Sequence, residues 1–379
     1  MRVIHICKVT GVAGAENHLL TLLAGLRGQE IDARLLLLVE PGNPVETMVA
    51  AATSRGIPAE RSVIRADIDP ILLIRLVRRL RTLQPDIVHT HLFHADLHGI
   101  PAARLAGVPR VVSSRHNDNT FRRRFPYRQI NRCLWRLTTA GIGISAAITR
   151  FAIEVEGASP AQMTTIPYGL PSAGTVDRAA ARAALRAELG LPPDALLAGL
   201  VCRLIEQKGI PYALRAFARV ADRFPNAHLV IAGDGPLRND LEAQARDRGL
   251  AERVRFLGWR TDTAAIFAAL DVFLMPSLWE GFGLVLLEAM AQGVPVIGSA
   301  VSAIPEVVAD GETGLLCPPR DVDCLAAALG DLLADPGRRA RLGAAGRARL
   351  EERFSSERMV AETIALYERL MAVSKPTGS

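Results

Sequence analysis

The chain contains no uncharged apolar run near the ~18 residues that a membrane-spanning helix needs, so no part of its 379 residues is expected to cross a bilayer. No secretory leader is expected, because the apolar part of Met1 to Lys8 is too short and no small-residue cleavage site follows it. That stretch reads as a strand entering a turn, and export is not expected. Five cysteines make an odd number, and Cys7, Cys133, Cys202, Cys317 and Cys324 form no Cys-x-x-Cys pair or other metal-ligand spacing. Free thiols in a reducing cytosol are the simplest expectation. No Gly-x-Gly-x-x-Gly fingerprint with a downstream acid follows the first strand, which argues against a dinucleotide-dependent oxidoreductase. Lysine is scarce: Lys8, Lys208 and Lys375 are the three, and this Arg-for-Lys bias weakens any argument from charge alone.

The net charge of +6 is nevertheless uneven. Residues 1–171 hold 21 basic and 13 acidic side chains, +8, against 24 and 26 in the remainder, −2. If either half meets an anionic partner it is the first. With 49% hydrophobic residues the chain can bury two cores of ordinary size. Short β-branched runs alternate with helical patterns almost from end to end, the signature of parallel sheets flanked by helices. Strands are expected near 3–9, 33–39, 62–64, 86–89, 110–113, 141–144 and 164–166. After a Pro- and Gly-rich break at 166–174 they resume near 196–202, 228–232, 254–256, 271–275, 295–297 and 314–316. Two α/β domains, 1–171 and 172–352, are expected to face each other across a cleft lined by the loops after the strands. Residues 353–379 form a last amphipathic helix, expected to pack back on the first domain, and a frayed tail.

The strongest single feature is Glu280 and Glu288, seven residues apart, bracketing a glycine-rich turn that opens a helix after the apolar run 271–275. Backbone N–H groups around Gly283, Leu284 and Val285 would point at an anion. A carboxylate facing that anion is repelled, so both glutamates are expected to meet hydroxyl donors instead. A ligand with a central diphosphate and polyhydroxyl rings at both ends, a nucleotide sugar, meets both demands. On their own the two acids read equally well as a solvated helix face. Upstream, Arg203 and Lys208 follow directly on the strand ending at Cys202, placed to neutralise a diphosphate leaving group. The bland alternative there is a surface pair of Arg203 with Glu206.

Together, the segment from Arg203 to Lys208-Gly209, the turn Gly233-Asp234-Gly235-Pro236 and the pair Glu280 and Glu288 resemble the retaining GT-B glycosyltransferases of family 4, the glycosyl-group-1 transferases. The resemblance runs over nearly the whole chain. It implies that Arg203 and Lys208 grip the diphosphate, Glu288 takes the ribose hydroxyls and Glu280 contacts the donor sugar. Backbone groups of Phe282, Gly283, Leu284 and Val285 would complete the cradle, with Gly233 and Leu257-Gly258-Trp259-Arg260 near the nucleotide. In the first domain Gly11-Val12-Ala13-Gly14-Ala15-Glu16 looks like the family's Gly-Gly-Ala-Glu loop, with Ala13 where glycine is usual and Gly14 on the donor. His116 matches the family's histidine at the donor sugar, and Tyr168 stands where Asn is usual.

The resemblance implies transfer of a hexose or N-acetylhexosamine, from a UDP- or GDP-sugar, with retention, to a hydroxyl of a glycan, a lipid-linked or a small-molecule acceptor. The setting would be cell-surface polysaccharide or glycoconjugate biosynthesis. No cofactor is expected. Asp67-Ile68-Asp69 and Asp321-Val322-Asp323 precede helical stretches, where aspartates cap free amides, and two cations already serve the leaving group. His89, His91, His94 and His98 could conceivably gather a metal, but no acidic or thiol ligand pattern supports it, and the segment is expected to line the acceptor side. The basic, aromatic stretch Phe121-Arg122-Arg123-Arg124-Phe125 through Arg136 suits an anionic membrane surface or lipid diphosphate, although such a face is usually just solvated. Arg122, Arg123 and His94 are therefore the acceptor-side candidates, and the protein is expected in the cytoplasm, at the inner face of the membrane, with no nucleic-acid partner. A non-catalytic nucleotide-sugar sensor or scaffold would keep the same binding residues.

Overall fold

The computed structural model describes all residues except 10–13, 119, 172–175 and 373–379. The chain divides into two compact units, Met1–Pro171 with Ser355–Ser379, and Ser172–Phe354.

The first unit is built on seven parallel strands: β1 (Arg2–Lys8), β2 (Asp32–Val39), β3 (Ala59–Val63), β4 (Ile87–His91), β5 (Arg110–Arg115), β6 (Ala140–Gly143) and β7 (Met163–Thr165). Their order across the sheet is β3-β2-β1-β4-β5-β6-β7. The second unit carries β8 (Leu196–Val201), β9 (Ala227–Ala232), β10 (Val254–Gly258), β11 (Val272–Met275), β12 (Val296–Ser299) and β13 (Gly314–Cys317), in the order β10-β9-β8-β11-β12-β13. Every expected strand is present: most are short apolar runs that only a sheet covered on both faces can bury, whereas β3 and β7, at the edges of the first sheet, are half-buried. β1 and β4, β2, β8, β9, β11 and β12 are almost continuously buried.

In each sheet the strand order reverses beside a central strand, between β1 and β4 in the first and between β8 and β11 in the second. At such a point successive connections leave to opposite faces, and the carboxyl ends of the two strands part to leave a crevice. The residues expected to do chemistry follow these strands.

The helix Ser356–Ala372 belongs to the first unit: Met359, Val360, Leu366 and Tyr367 are buried in the core formed by β1, β2 and the helix Gly14–Gly28. The crossing is close at Gly25, where a Cβ would run into the Val360 side chain.

One expectation fails. Cys317 and Cys324 are joined by a disulfide, their Cα atoms 5.7 Å apart, while Cys7, Cys133 and Cys202 remain free. Cys317 ends β13 and Cys324 sits in the first turn of the helix Val322–Ala334, whose amide end is capped by Asp321, so the turn between them returns the chain on itself. A six-residue spacing across a strand-to-helix turn carries no motif, which is why the sequence alone reads both as thiols.

Candidate functional site

In the second unit, the loop after β8 and the loop after β11 are fastened together. The Leu278 N–H donates to the Gln207 carbonyl at 2.8 Å, and the Gln207 side-chain amide donates to the Trp279 carbonyl at 3.0 Å. Gly209, at φ 61°, passes so near the Pro276 carbonyl that any Cβ would collide with it, so the turn requires glycine twice over. This fastening carries Lys208 to Glu280: the ammonium meets the carboxylate at 2.5 Å, and both side chains are largely buried. The Glu280 N–H donates to the Ser302 hydroxyl at 3.3 Å, and Ser302 holds φ 48°, a strained value for a residue other than glycine.

The Arg203 side chain is exposed and makes no hydrogen bond or ion pair with another described residue, so the surface pair with Glu206 does not form. Gly283, at φ 90°, opens the helix Leu284–Ala291, and no side chain caps that end. The first-turn amides of Leu284 and Val285 lack partners within the helix itself, while the Leu286 N–H donates to the Gly283 carbonyl at 2.9 Å. Phe282 is buried beneath the turn against Phe354, while Gly283, Leu284 and Val285 are partly open. Glu288 lies one turn further along. Its carboxyl has no hydrogen-bond or ion-pair partner among the described residues, and burial pushes it up to about 7. A carboxylate stripped of water and left without donors is poised to accept hydroxyl hydrogens.

After β9, Gly233 at φ 131° lies against the Cys202 carbonyl, where a Cβ would clash, and its N–H donates to the Gly258 carbonyl at 2.7 Å. Trp259 is two-thirds exposed, whereas Arg260 is held away by Glu188 and Asp262. A small void between the ends of β8 and β11 is lined by Cys202, Lys208, Pro276, Ser277 and Val285, among others. Ser277 is fully buried there with its hydroxyl unpaired among the described residues. Ser277 and Ser302 are site residues that sequence reasoning missed; their one signal was position, just past β11 and β12.

In the first unit, Gly14 begins the helix Gly14–Gly28 and is exposed; the Gly11, Val12 and Ala13 part of the expected loop lies outside the described residues. His116 follows β5 and is buried, its Nδ1 2.5 Å from the Tyr168 hydroxyl and its Nε2 3.1 Å from His91 Nδ1. Burial holds its imidazole down to about 3, with the Arg115 charge adding to the effect, so it is neutral at ordinary pH. His18, from the first helix, stacks on Tyr168 at 3.9 Å between centroids and is buried with Nδ1 unpaired among the described residues. Sequence reading passed over it.

Of the acceptor-side candidates, Arg122 is a correction. It is 2% exposed and bound to Glu156 at 2.6 Å, inside a buried network in which Arg115 joins Glu156 at 2.5 Å and Asp96 at 2.6 Å. Two guanidinium groups and two carboxylates cancel there, leaving Arg122 no charge to offer a ligand. Arg123 is exposed and lies over the Phe151 ring at 5.0 Å. His94 pairs with Asp67 at 2.9 Å.

The histidine metal site expected to be absent takes a different form. His5, His89 and His91, not His94 and His98, come within 4.8 Å of one another, all buried. Both nitrogens of each ring are already engaged, by His5, His91, His116, Tyr367 or Ser114, which leaves no lone pair for an ion in this arrangement.

Residues 181–349 match the family described as glycosyl transferases group 1, and residues 12–173 match glycosyltransferase family 4. The chain is 34% identical over 260 residues to a GDP-mannose-dependent alpha-(1-6)-phosphatidylinositol monomannoside mannosyltransferase of Mycolicibacterium smegmatis, covering 65% of this chain and 67% of that one. It is 33% identical over 268 residues to a UDP-Gal:alpha-D-GlcNAc-diphosphoundecaprenol alpha-1,3-galactosyltransferase of Escherichia coli, covering 68% of each. Among solved structures, Anabaena HepE in complex with UDP superposes with a TM-score of 0.84 at 21% identity, over 97% of this chain and all of that one.

Proposed function

The chain belongs to the group 1 glycosyltransferases of family 4 and has their GT-B fold, and on that footing we propose that it moves a hexose or N-acetylhexosamine from a UDP- or GDP-sugar to an acceptor hydroxyl with retention at the anomeric carbon. The acceptor is a glycan, lipid-linked or small-molecule hydroxyl, in cell-surface polysaccharide or glycoconjugate synthesis. The observation that carries this reading is the junction of two loops at the ends of β8 and β11, which holds Lys208 and Glu280 together beside an uncapped helix end.

In this reading the exposed Arg203 and Lys208 take the diphosphate, and Lys208 exchanges the Glu280 carboxylate for the more highly charged phosphate oxygens. Glu280, released from its ion pair, accepts from a hydroxyl of the donor sugar. Glu288 accepts from the ribose, and the amides of Gly283, Leu284 and Val285 face phosphate oxygens. Gly233 lets the backbone approach the nucleotide closely, and Phe282 supports the turn from beneath. By the family resemblance Gly14 and His116 are assigned to the donor sugar, His116 through its place after β5, since both of its ring nitrogens are engaged. The reaction passes through an oxocarbenium-like transition state, the leaving phosphate oxygen taking the acceptor proton, so neither a divalent metal nor another cofactor is needed. The names of the Mycolicibacterium and Escherichia relatives support a nucleotide-sugar donor and a lipid-linked acceptor.

No described helix is long and apolar enough to cross a membrane. We place the protein in the cytoplasm, touching the anionic inner membrane face through the helix Tyr127–Leu137 and its approach, where Arg123, Arg124 and Arg128 are exposed and Phe125 is 81% exposed. Sedimentation with anionic and neutral vesicles tests this contact: selective binding to the anionic set is expected, and equal failure on both removes it. The enzymatic reading is tested by anomeric analysis of product from UDP- and GDP-sugars with an acceptor panel. Retained configuration is expected; inversion overturns the mechanism, and no nucleotide release from any donor overturns the reading.

A further inference from the structure

Seven buried side chains of the first unit form one unbroken hydrogen-bonded file. From the Tyr168 hydroxyl it passes to His116 Nδ1 at 2.5 Å, from His116 Nε2 to His91 Nδ1 at 3.1 Å, and from His91 Nε2 to His5 Nδ1 at 2.9 Å. His5 Nε2 then meets the Tyr367 hydroxyl at 3.5 Å, Tyr367 meets His89 Nδ1 at 2.6 Å, and His89 Nε2 reaches the Ser114 hydroxyl at 2.7 Å. The residues come from β1, β4, β5, the segment after β5, the segment after β7 and the helix Ser356–Ala372.

Each imidazole in the file is neutral, because burial pushes His5 and His116 down to about 3 and holds His89 and His91 well below their ordinary value. A neutral imidazole donates from one nitrogen and accepts at the other. Each link holds one hydrogen, so fixing the direction of one link fixes all of them. Two directions exist: every histidine protonated on Nε2, or every histidine protonated on Nδ1. A phenol is a stronger acid than a neutral imidazole, so a short tyrosine–imidazole contact favours the hydroxyl as donor. Both tyrosines meet Nδ1 atoms, at 2.5 and 2.6 Å, and both therefore select the same direction.

We propose that this file is a tautomer lock in which Tyr367, on the C-terminal helix, acts through His5 and His91 as a positioning residue that keeps His116 in its Nε2–H form. His116 then offers no free nitrogen, and the segment after β5 is pinned by a helix some 250 residues later in the chain. The consequence for turnover rests on the reading that His116 serves the donor sugar.

The test is a long-range proton–nitrogen spectrum of the full chain labelled with nitrogen-15 histidine, with His116 assigned from a His116→Gln spectrum. In the unaltered protein His5, His89, His91 and His116 are each expected to show a pyrrole-type Nε2 and a pyridine-type Nδ1. Removing the hydroxyl in Tyr367→Phe leaves the His5 Nε2–H buried without an acceptor, which favours reversal of the segment from His5 to His116. A second, Nδ1–H population of His116 should appear, with kcat lowered several-fold at unchanged donor KM. Tyr168→Phe leaves the inner anchor in place and should keep His116 on Nε2–H. A mixed or Nδ1–H His116 in the unaltered protein overturns the lock even if Tyr367→Phe fails to fold, and so does a pure Nε2–H His116 in Tyr367→Phe. If His116→Gln retains full turnover while the tautomer shift is seen, the lock stands and the placing of His116 at the donor falls.

Discussion

Lys208 and Glu280 bond at 2.5 Å, yet they are held by different loops, so each residue tests the other. Lys208→Ala removes the cation from the leaving group and leaves a largely buried carboxylate alone; turnover is expected to fall by about 10²–10³-fold in single-turnover assays, with the fold retained. Glu288 carries a pH signature. Its carboxyl, raised to about 7, is mostly protonated below that point, and a protonated acid accepts hydroxyl hydrogens poorly. Nucleoside diphosphate binding should therefore tighten as pH rises through about 7, and Glu288→Gln should flatten that dependence in calorimetric titrations. The stability sign is opposite. A carboxyl whose folded value lies above its unfolded value stabilises the fold fully below the unfolded value and loses that contribution as pH rises through about 7. At this scale the sequence named the charged residues but could not pair them, since Lys208 and Glu280 are 72 positions apart. Nor could it separate neighbours in the run Arg122-Arg123-Arg124: one of the three is buried on Glu156, and nothing in three identical residues says which.

The elements that hold the site are loops between a buried strand and a helix, and their glycines are specific to the geometry. Gly233→Ala would place a methyl against the Cys202 carbonyl at φ 131° and should destabilise the second unit by more than about 1 kcal/mol in chemical unfolding. In the first unit, Glu156→Ala would strand the almost fully buried Arg122 and leave Arg115 only the Asp96 carboxylate, and is expected to cost about 3–5 kcal/mol. Most strands were legible because they are compact apolar runs between turn residues. Histidines of the file were not, since they lie on separate elements and meet only when β1 settles between β2 and β4. His89 and His91 share a strand face as their alternation requires, but their partners His5 and Tyr367 come from opposite ends of the chain.

As a whole molecule the chain is two units whose boundaries are not consecutive, the second being inserted between Pro171 and Ser355 of the first. A chain ending at Phe354 would lose Met359, Val360, Leu366 and Tyr367 from the first core, and its first unit should be cleaved by protease well before the second. The break in pattern near 171 was readable in its prolines and glycines, while the destination of the last helix depended on an apolar face that any core could have taken. The central claim is that the ends of β8 and β11 hold a nucleoside diphosphate through Arg203, Lys208 and the amino end of the helix Leu284–Ala291. Calorimetric titration of UDP and GDP into the unaltered protein and into Arg203→Ala with Lys208→Ala tests it most directly. One of the two nucleotides should bind the unaltered protein and lose its affinity in the double variant; equal affinity in both proteins, or binding of neither nucleotide, contradicts the account.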